Sequence, residues 1–154
     1  MINPALYSSQ SGNWDTPQDF FDTLNEEFTF TLDVCADNNN HKCPIYYTEQ
    51  DDGLQQIWAD TVWCNPPYGR KIIHWMKKAY ESSLTGATVV CLVPSATDTV
   101  WWHNYAMKGE IRFLRGRPRF ETKEKTWQQT FSPSVIVIFK PYPIITNSSR
   151  NIIK

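Results

Sequence analysis

The chain has 154 residues, of which 41% are hydrophobic and 20% charged, and its formal net charge is −1. This length is close to the usual size of one domain and is too short for a second domain of ordinary size. No apolar run approaches the roughly 18–20 residues that cross a bilayer, and the first residues lack the basic and apolar regions of a signal peptide, so we expect a cytoplasmic protein without a membrane partner.

A polar lead-in precedes the first predicted helix. Residues 1–13 are polar, with several Ser, and predict a flexible N-terminal segment. Thr16 is predicted as the N-cap of a helix over about 17–27, with Pro17 in the first helical position and Asp19 in the capping-box position. Apolar side chains follow at helical spacing.

Two strands are predicted next, and each is followed by a loop. Residues 29–34 alternate in β-forming side chains and predict a strand that ends before the Asn-rich run 37–40. Residues 62–64 predict a second strand, which stops at the prolines of the tetrapeptide 65–68 because proline cannot donate to a sheet ladder. A rigid polar loop therefore follows a strand end.

The second half of the chain alternates helices and strands. The predicted elements are, in order, a helix over 72–84 that ends at Gly86, a buried strand over 87–93, a helix over about 98–107 capped by Thr97 and Asp98, and strands at 111–114 and 135–139.

This alternation predicts an α/β fold with a mostly parallel sheet that helices cover on both faces. No helix separates the last two strands, so we expect them to form a C-terminal antiparallel hairpin at the sheet edge. Such sheets bind ligands at the carboxyl ends of their strands. Asp33 and the loop that begins at Asn65 are both expected there.

Charge is distributed unevenly along the chain. Residues 15–52 hold ten acids and one base, Lys42, whereas residues 108–125 hold seven bases and three acids. A phosphate backbone is repelled by the first region and attracted by the second. The second region is therefore a candidate nucleic-acid surface, with a solvated charged loop as the alternative.

The cysteines predict neither a disulfide framework nor a zinc site. Cys35, Cys43, Cys64 and Cys91 are widely spaced and form no C-x-x-C pair. We expect four reduced thiols, with Cys91 buried in a strand. His41 lies between two of them, but the three residues lack a regular ligand spacing, so no metal is expected.

The tetrapeptide Asn65-Pro66-Pro67-Tyr68 carries the clearest chemistry. A conjugated amino group such as N6 of adenine is a poor nucleophile, and its methylation needs acceptors that draw electron density back onto the nitrogen. The amide oxygen of Asn65 and the main-chain carbonyl of Pro66 can accept both amino protons. Tyr68 offers an aromatic face for a base drawn out of the duplex, and a simple Pro-Pro turn is the structural alternative.

This tetrapeptide resembles motif IV of the amino-methyltransferases that act on planar nitrogen, which also serves glutamine methyltransferases. Other stretches resemble the cofactor motifs of these enzymes and the run into motif IV: 14–17, 32–37, 52–54 and 58–64. With Trp101-Trp102, Gly116-Arg117 and the closing strand, the chain resembles the phage and prophage DNA N6-adenine methyltransferases, often called Dam-type, over about residues 14–140.

The resemblance implies an abbreviated Rossmann-like S-adenosylmethionine-dependent methyltransferase fold. It implies a site-specific enzyme that transfers methyl directly from S-adenosylmethionine to the amino group of a flipped adenine in DNA, inside the bacterial host cytoplasm if the protein is phage-encoded. The methyltransferase domain is expected at 14–140, followed by a C-terminal tail at 141–154.

The resemblance also implies roles for individual residues. The catalytic residues are Asn65, Pro66, Pro67 and Tyr68. The cofactor-binding residues are Trp14, Thr16, Pro17, Asp33, Cys35, Ala36, Asp52 and Asn65. The order of the motifs leaves room for target recognition only after the catalytic loop, so the DNA-binding residues are Arg112, Arg115, Arg117, Arg119, Lys123, Lys125, Trp127 and Phe131.

The sequence departs from the family pattern around the cofactor. Motif I has no glycine, and we expect Asn38, Asn39 and Asn40 to supply left-handed backbone in its place. Only 31 residues separate Asp33 from Asn65, too few for two βα units. The ribose contact is therefore left to weak candidates, which are Asp37 and Glu49.

Two alternatives remain open from the sequence. One is methylation of a protein glutamine or of RNA, because the tetrapeptide defines the chemistry better than the substrate. The other is an inactive relative that only binds nucleic acid, since motif I is degenerate.

Overall fold

The computed structural model describes residues 15–116 and 133–141 in full and gives the backbone of 119–121, 127–129 and 152–153. The α-helices are α1 (Gln18–Phe28), α2 (Ile72–Leu84) and α3 (Val100–Asn104), and two short 3-10 helices span Gly53–Gln55 and Ala106–Lys108. The strands are β1 (Leu32–Asp33), β2 (Ile45–Tyr46), β3 (Thr61–Cys64), β4 (Thr88–Pro94), β5 (Glu110–Phe113), β6 (Arg119–Glu121), β7 (Trp127–Gln129), β8 (Ser134–Phe139) and β9 (Ile152–Ile153).

The main sheet is mixed, as the alternation of elements predicts. Its strand order is β2-β1-β3-β4-β8-β5-β9. The first four strands in that order pair in parallel, β8 is antiparallel to both β4 and β5, and β9 is parallel to β5. Strands β6 and β7 form a separate antiparallel pair. The α/β class is confirmed.

The antiparallel pairing of the last two predicted strands is confirmed, but their position at the sheet edge is wrong. Strand β8 lies between β4 and β5. All six of its residues are buried, and a strand that is apolar on both faces is stable only with neighbours and cover on both sides. Strand β9, in the stretch expected as a tail, pairs with β5.

Helices cover both faces of the sheet, because successive side chains of a strand point to opposite faces. Val62, Val89 and Cys91 pack with α2 and α3 in one buried cluster. Trp63 and Val90 pack against α1 in the other.

Several helix and strand ends differ from the predicted ones. Helix α1 is capped by Pro17, with no side-chain hydrogen bond, so Thr16 is not its cap. Thr29 has a left-handed φ of +53°, which ends α1 and delays β1. Helix α3 is capped by Thr99, whose hydroxyl accepts the N–H of Trp102, and so it starts later than the predicted helix and is shorter. No helix among the described residues is long and apolar enough to cross a membrane.

The Asn-rich loop does not supply the left-handed backbone expected of it. Among the described non-glycine residues, positive φ occurs only at Thr29, Asp52 and Asp60. Asp37 instead closes the turn: one of its carboxylate oxygens accepts the N–H groups of Asn39 and Asn40. A local carboxylate satisfies the turn without a strained backbone.

Candidate active site

A cleft opens at the carboxyl ends of β1 and β3, where parallel strands place their following loops side by side. It contains about 460 Å³ of empty space, part of it open to solvent. Its walls are formed by Asp15, Thr16, Asp33, Cys35, Asn40, Lys42, Trp63, Asn65, Pro66, Pro67 and Tyr68. The structure therefore brings Asp33 and the Asn65 loop together, as the strand order predicts.

The tetrapeptide begins directly after β3, and all four of its residues line the cleft. Strand β3 pairs with β1 on one side and β4 on the other, so the loop starts from a rigid, central strand. Pro66 is buried. The loop is held on the sheet, which favours fixed positions for its acceptor groups.

Tyr68 is anchored at its phenol end. Its hydroxyl donates to the main-chain carbonyl of Leu92 in β4 at 3.3 Å, and burial raises the pKa of the Tyr68 hydroxyl above its ordinary value. The phenol therefore stays neutral, and the neighbouring strand fixes the direction of the ring.

Asn65 is linked to the start of the folded chain. Its Nδ2 donates to the hydroxyl of Thr16 at 3.0 Å, and Thr16 is only 4% exposed. Two residues that lie 49 positions apart thus meet in one wall of the cleft. The hydroxyl expected to cap α1 is directed to the loop of residues 65–68 instead.

Asp33 is a buried carboxylate at the base of the cleft, with 3% of its surface exposed. Its two oxygens accept the backbone N–H groups of Lys42, at 2.9 Å, and Cys35, at 3.3 Å. Burial raises the pKa of Asp33 to about 6, and these hydrogen bonds and the charge of Lys42 only partly offset that effect. The group is therefore poised to respond to a nearby positive charge.

Four residues of the cleft wall were not among the predicted site residues, although two of them lie in the stretches 14–17 and 58–64 that resemble family motifs. Asp15, Asn40, Lys42 and Trp63 line it, and the carboxylate of Asp15 accepts a hydrogen bond from Nδ2 of Asn40. Lys42 was visible in the sequence as the only base between residues 15 and 52. Its Nζ donates to Oε1 of Gln18 at 2.9 Å.

Three residues expected at the cofactor do not line this cleft. Asp52 is exposed, Pro17 caps α1, and the N–H of Ala36 donates to the carbonyl of Tyr47. Trp14 lies outside the described residues. The two weak ribose candidates, Asp37 and Glu49, are also absent from the cleft wall.

The basic region at residues 108–125, with the neighbouring Trp127 and Phe131, is described only in part. The guanidinium of Arg112 is held by both carboxylate oxygens of Glu27, at 2.6 and 2.7 Å, and by Glu110 at 2.7 Å, which favours a structural role. Arg115 is exposed. Arg119 and Trp127 are described by backbone alone, in β6 and β7. Arg117, Lys123, Lys125 and Phe131 lie outside the described residues.

This segment starts and ends at the edge of the sheet that carries the cleft. The end of β5 pairs with the start of β8, Phe113 opposite Val135. The start of β8 in turn lies opposite Pro94, the last residue of β4. The N–H of Ser95 also donates to the carbonyl of Pro133 at 2.9 Å. Both ends of the segment between β5 and β8 therefore lie at the same edge of the sheet as the cleft.

The cysteines are all unpaired, and Cys91 is buried in β4, as predicted. Burial raises the pKa of Cys35 and of Cys43 to about 12, so both are neutral thiols at ordinary pH. In the part of the chain that the structure describes, no three His, Cys, Asp or Glu side chains are grouped so as to hold a metal ion.

Comparison with known proteins identifies the family. Residues 5–153 match the family DNA N-6-adenine-methyltransferase (Dam). The chain belongs to this family. As a member of the Dam family it is an enzyme that methylates N6 of adenine in DNA.

Two relatives are similar to this Dam-family chain. The DNA N-6-adenine-methyltransferase of Haemophilus phage HP1 (strain HP1c1) is 29% identical over 153 residues, which cover 92% of this chain and 86% of the relative. The Escherichia coli (strain K12) protein "Putative methyltransferase YfdM" is 36% identical over 74 residues, or 42% of this chain and 81% of its own length.

Proposed function

We propose that the cleft binds S-adenosylmethionine and that N6 of a flipped adenine takes its methyl group there by direct transfer. One observation carries this proposal: the entire Asn65–Tyr68 loop and the buried carboxylate of Asp33 line the same cleft. The fold is then the Rossmann-like one of these methyltransferases, shortened between β1 and β3.

The chemistry of the cleft fits the cofactor. S-adenosylmethionine, when bound, supplies an electrophilic methyl group on a positively charged sulfur, and it also carries an ammonium and a carboxylate. The carboxylate of Asp33 suits the positive groups, because a charge that enters a buried site needs a partner of opposite sign. Lys42 offers a positive charge in the same cleft, and Thr16 and Cys35 add polar wall.

The loop residues prepare the adenine. Oδ1 of Asn65 and the carbonyl of Pro66 accept the two N6 protons, which draws the nitrogen lone pair out of the ring and orients it. As N6 forms its bond to the methyl group, the bond between methyl and sulfur breaks and leaves a neutral thioether. The methylated nitrogen, which is then positively charged, releases one proton to solvent. Tyr68 stacks on the extruded base and replaces part of the stacking lost on leaving the duplex.

The DNA-contacting surface is the segment between β5 and β8. Its attachment at the cleft side of the sheet supports this assignment, and so does its excess of bases. Phosphates are drawn to Lys and Arg through counterion release. Exposed Arg115 is the first candidate, whereas Arg112 is already held by two carboxylates. The other proposed contacts are Arg117, Arg119, Lys123, Lys125, Trp127 and Phe131.

The test is transfer of labelled methyl from S-adenosylmethionine to unmethylated DNA, with RNA and protein as parallel substrates and the digested nucleosides identified. We expect label in N6-methyladenine with the wild type. Asn65→Ala should fold normally, bind DNA and lose turnover. Full activity of Asn65→Ala, or label that appears only in RNA or protein, would contradict the proposal.

Cofactor binding is measured separately by calorimetry with S-adenosylmethionine and no DNA. We expect binding to the wild type and weaker binding to Asp33→Ala, since that substitution removes the buried carboxylate. Equal affinities for the two proteins would remove Asp33 from the site.

A further inference from the structure

We propose that Thr16 is a positioning residue whose hydroxyl fixes the side-chain amide of Asn65 in the orientation that methyl transfer needs. This inference rests on the proposed role of Asn65. It gives Thr16 a task different from the cofactor contact that its motif implies.

The geometry carries the proposal. The hydroxyl of Thr16 accepts a hydrogen bond from Nδ2 of Asn65 at 3.0 Å, while the helix that follows has no side-chain cap. Thr16 is 4% exposed, so water competes little for this bond. A buried hydroxyl near a helix start that does not serve the helix is thus engaged with the catalytic loop.

Hydrogen bonds hold the residues on both sides of Thr16. The carbonyl of Pro17 accepts the N–H of Phe21 at 3.1 Å in the first turn of α1. On the other side, the carboxylate of Asp15 accepts a hydrogen bond from Asn40. The hydroxyl is therefore presented from a rigid frame, as a positioning group must be.

An asparagine amide is asymmetric, and this asymmetry makes its orientation matter. Its oxygen is an acceptor and its nitrogen carries two donor hydrogens. A half-turn about the last side-chain bond exchanges the two with little steric cost, because that torsion is broad and roughly two-fold. Donors turned toward the amino group of adenine repel it, whereas the oxygen accepts a proton from it.

The structure holds the amide in one of these two orientations, with Nδ2 donating to the hydroxyl of Thr16 at 3.0 Å. With Nδ2 engaged by the hydroxyl, Oδ1 occupies the opposite corner of the amide. The selected rotamer is then the one in which the acceptor serves the substrate amino group. Without the hydroxyl, part of the protein holds Asn65 in the unproductive orientation, which lowers the rate without removing the cofactor site.

The experiment compares Thr16→Val, which replaces the hydroxyl by a methyl group of similar size, with Thr16→Ser, which keeps it. We expect kcat for DNA methylation to fall about 10-fold in Thr16→Val. The Kd of S-adenosylmethionine, measured without DNA, should stay within about twofold of the wild type. Thr16→Ser should restore most of the lost rate.

A spectroscopic readout makes the test independent of activity. The side-chain NH₂ signals of Asn65 are assigned in a ¹⁵N spectrum by their absence in Asn65→Ala. In Thr16→Val they should shift, and their hydrogens should exchange faster with water. Thr23→Val is the matched control, because Thr23 lies on exposed α1 surface and bonds only locally, to the carbonyl of Asp19. It should change neither signal nor rate.

Several outcomes would overturn the inference. Unchanged kcat and unchanged Asn65 signals in Thr16→Val would show that the hydroxyl positions nothing. Weaker cofactor binding with an unchanged kcat would make Thr16 a cofactor contact only. If valine prevents folding, Thr16→Ala gives the same comparison with a smaller side chain. An active wild type and an inactive Asn65→Ala keep the proposed function intact under each of these results.

Discussion

The hydroxyl of Tyr68 donates to the main-chain carbonyl of Leu92, 3.3 Å away on the adjacent strand β4. This hydrogen bond joins the loop of residues 65–68, which follows β3, to the central strand of the sheet. The ring of Tyr68 can therefore be offered to a base while its polar end is already satisfied. The hydroxyl anchors the side chain, and we propose that the ring provides the stacking surface.

This arrangement separates the two parts of the side chain by mutation. Tyr68→Phe loses only the anchor, so we expect kcat/KM for DNA to fall about 3- to 10-fold. Tyr68→Ala also loses the stacking surface and should fall about 10- to 100-fold further. Steady-state kinetics on a DNA substrate measure both. If Phe were as damaging as Ala, the hydroxyl rather than the ring would be the group that matters.

Cofactor affinity should depend on pH through Asp33. Burial raises the pKa of this carboxyl to about 6, and a bound sulfonium or ammonium favours its charged form. Affinity should therefore increase as pH rises through 6 and then level off, with about a tenfold gain between about pH 5 and about pH 7.5. Calorimetric titrations at several pH values give the curve.

Asp33→Asn is the control for this pH dependence. The amide keeps the size of the side chain but cannot ionise, so its affinity should be weaker and nearly independent of pH over the same range. Without cofactor, the free energy of unfolding should change with pH in the opposite direction. The pKa of Asp33 in the folded protein is above the ordinary 3.8, so the contribution of Asp33 to stability falls as the pH rises from about 4 to about 6. A wild-type affinity that is flat with pH would contradict the assignment.

Gly53 packs closely against Val34, the residue that follows β1. A Cβ at this position would lie 2.4 Å from the carbonyl oxygen of Val34 and 3.3 Å from the ring of Trp75. Gly53→Ala should therefore lower the free energy of unfolding by about 2–3 kcal/mol. Chemical denaturation measures this loss. A change below about 0.5 kcal/mol, typical of free surface sites, would mean that the end of β1 moves easily.

Substitution of Arg112 is expected to lower stability, whereas substitution of Arg115 is expected to weaken DNA binding. Arg112 ties β5 to the end of α1 through Glu27 and also binds Glu110. Arg112→Ala should cost about 1–2 kcal/mol of stability, a modest value because Glu27 is half exposed. The hydrogen bond to Arg112 lowers the pKa of Glu27. The stabilising contribution of the pair should therefore be present at neutral pH and disappear as the pH falls and Glu27 becomes protonated.

Arg115→Ala should leave stability unchanged and weaken DNA binding instead. A lost phosphate contact reduces the slope of log K against log salt by about 1. Binding titrations at several salt concentrations test this, with Arg112→Ala beside it. An unaltered salt slope for Arg115→Ala would place the DNA surface elsewhere on the segment.

The elements with strong local signals were predicted well. Helix α2 and strands β3, β4 and β8 were expected within one residue of where they lie at each end, because apolar periodicity and flanking Pro or Gly mark them. Strand β2 was missed because it is short and partly exposed, so its pairing with β1 leaves no local pattern. The position of β8 was misjudged because strand neighbours depend on contacts distant in sequence.

The sequence alone indicated the chemistry, because the features that carry it are local or follow one another along the chain. These features are a Pro-bounded loop after an apolar strand, acidic residues before that loop and basic residues after it. The sequence was sufficient to indicate the Dam-type family, which the family match confirms, whereas the catalytic role of residues 65–68 stays a prediction. Only the tertiary structure decided which side chains meet there. Lys42, Asn40 and Asp15 line the cleft, although they were not predicted to, whereas Asp52 and Ala36 were expected there and do not line it. The hydroxyl of Thr16 bonds to Asn65 and does not cap α1. Such pairings follow from the stacking of parallel strands, which places residues far apart in sequence at one sheet edge.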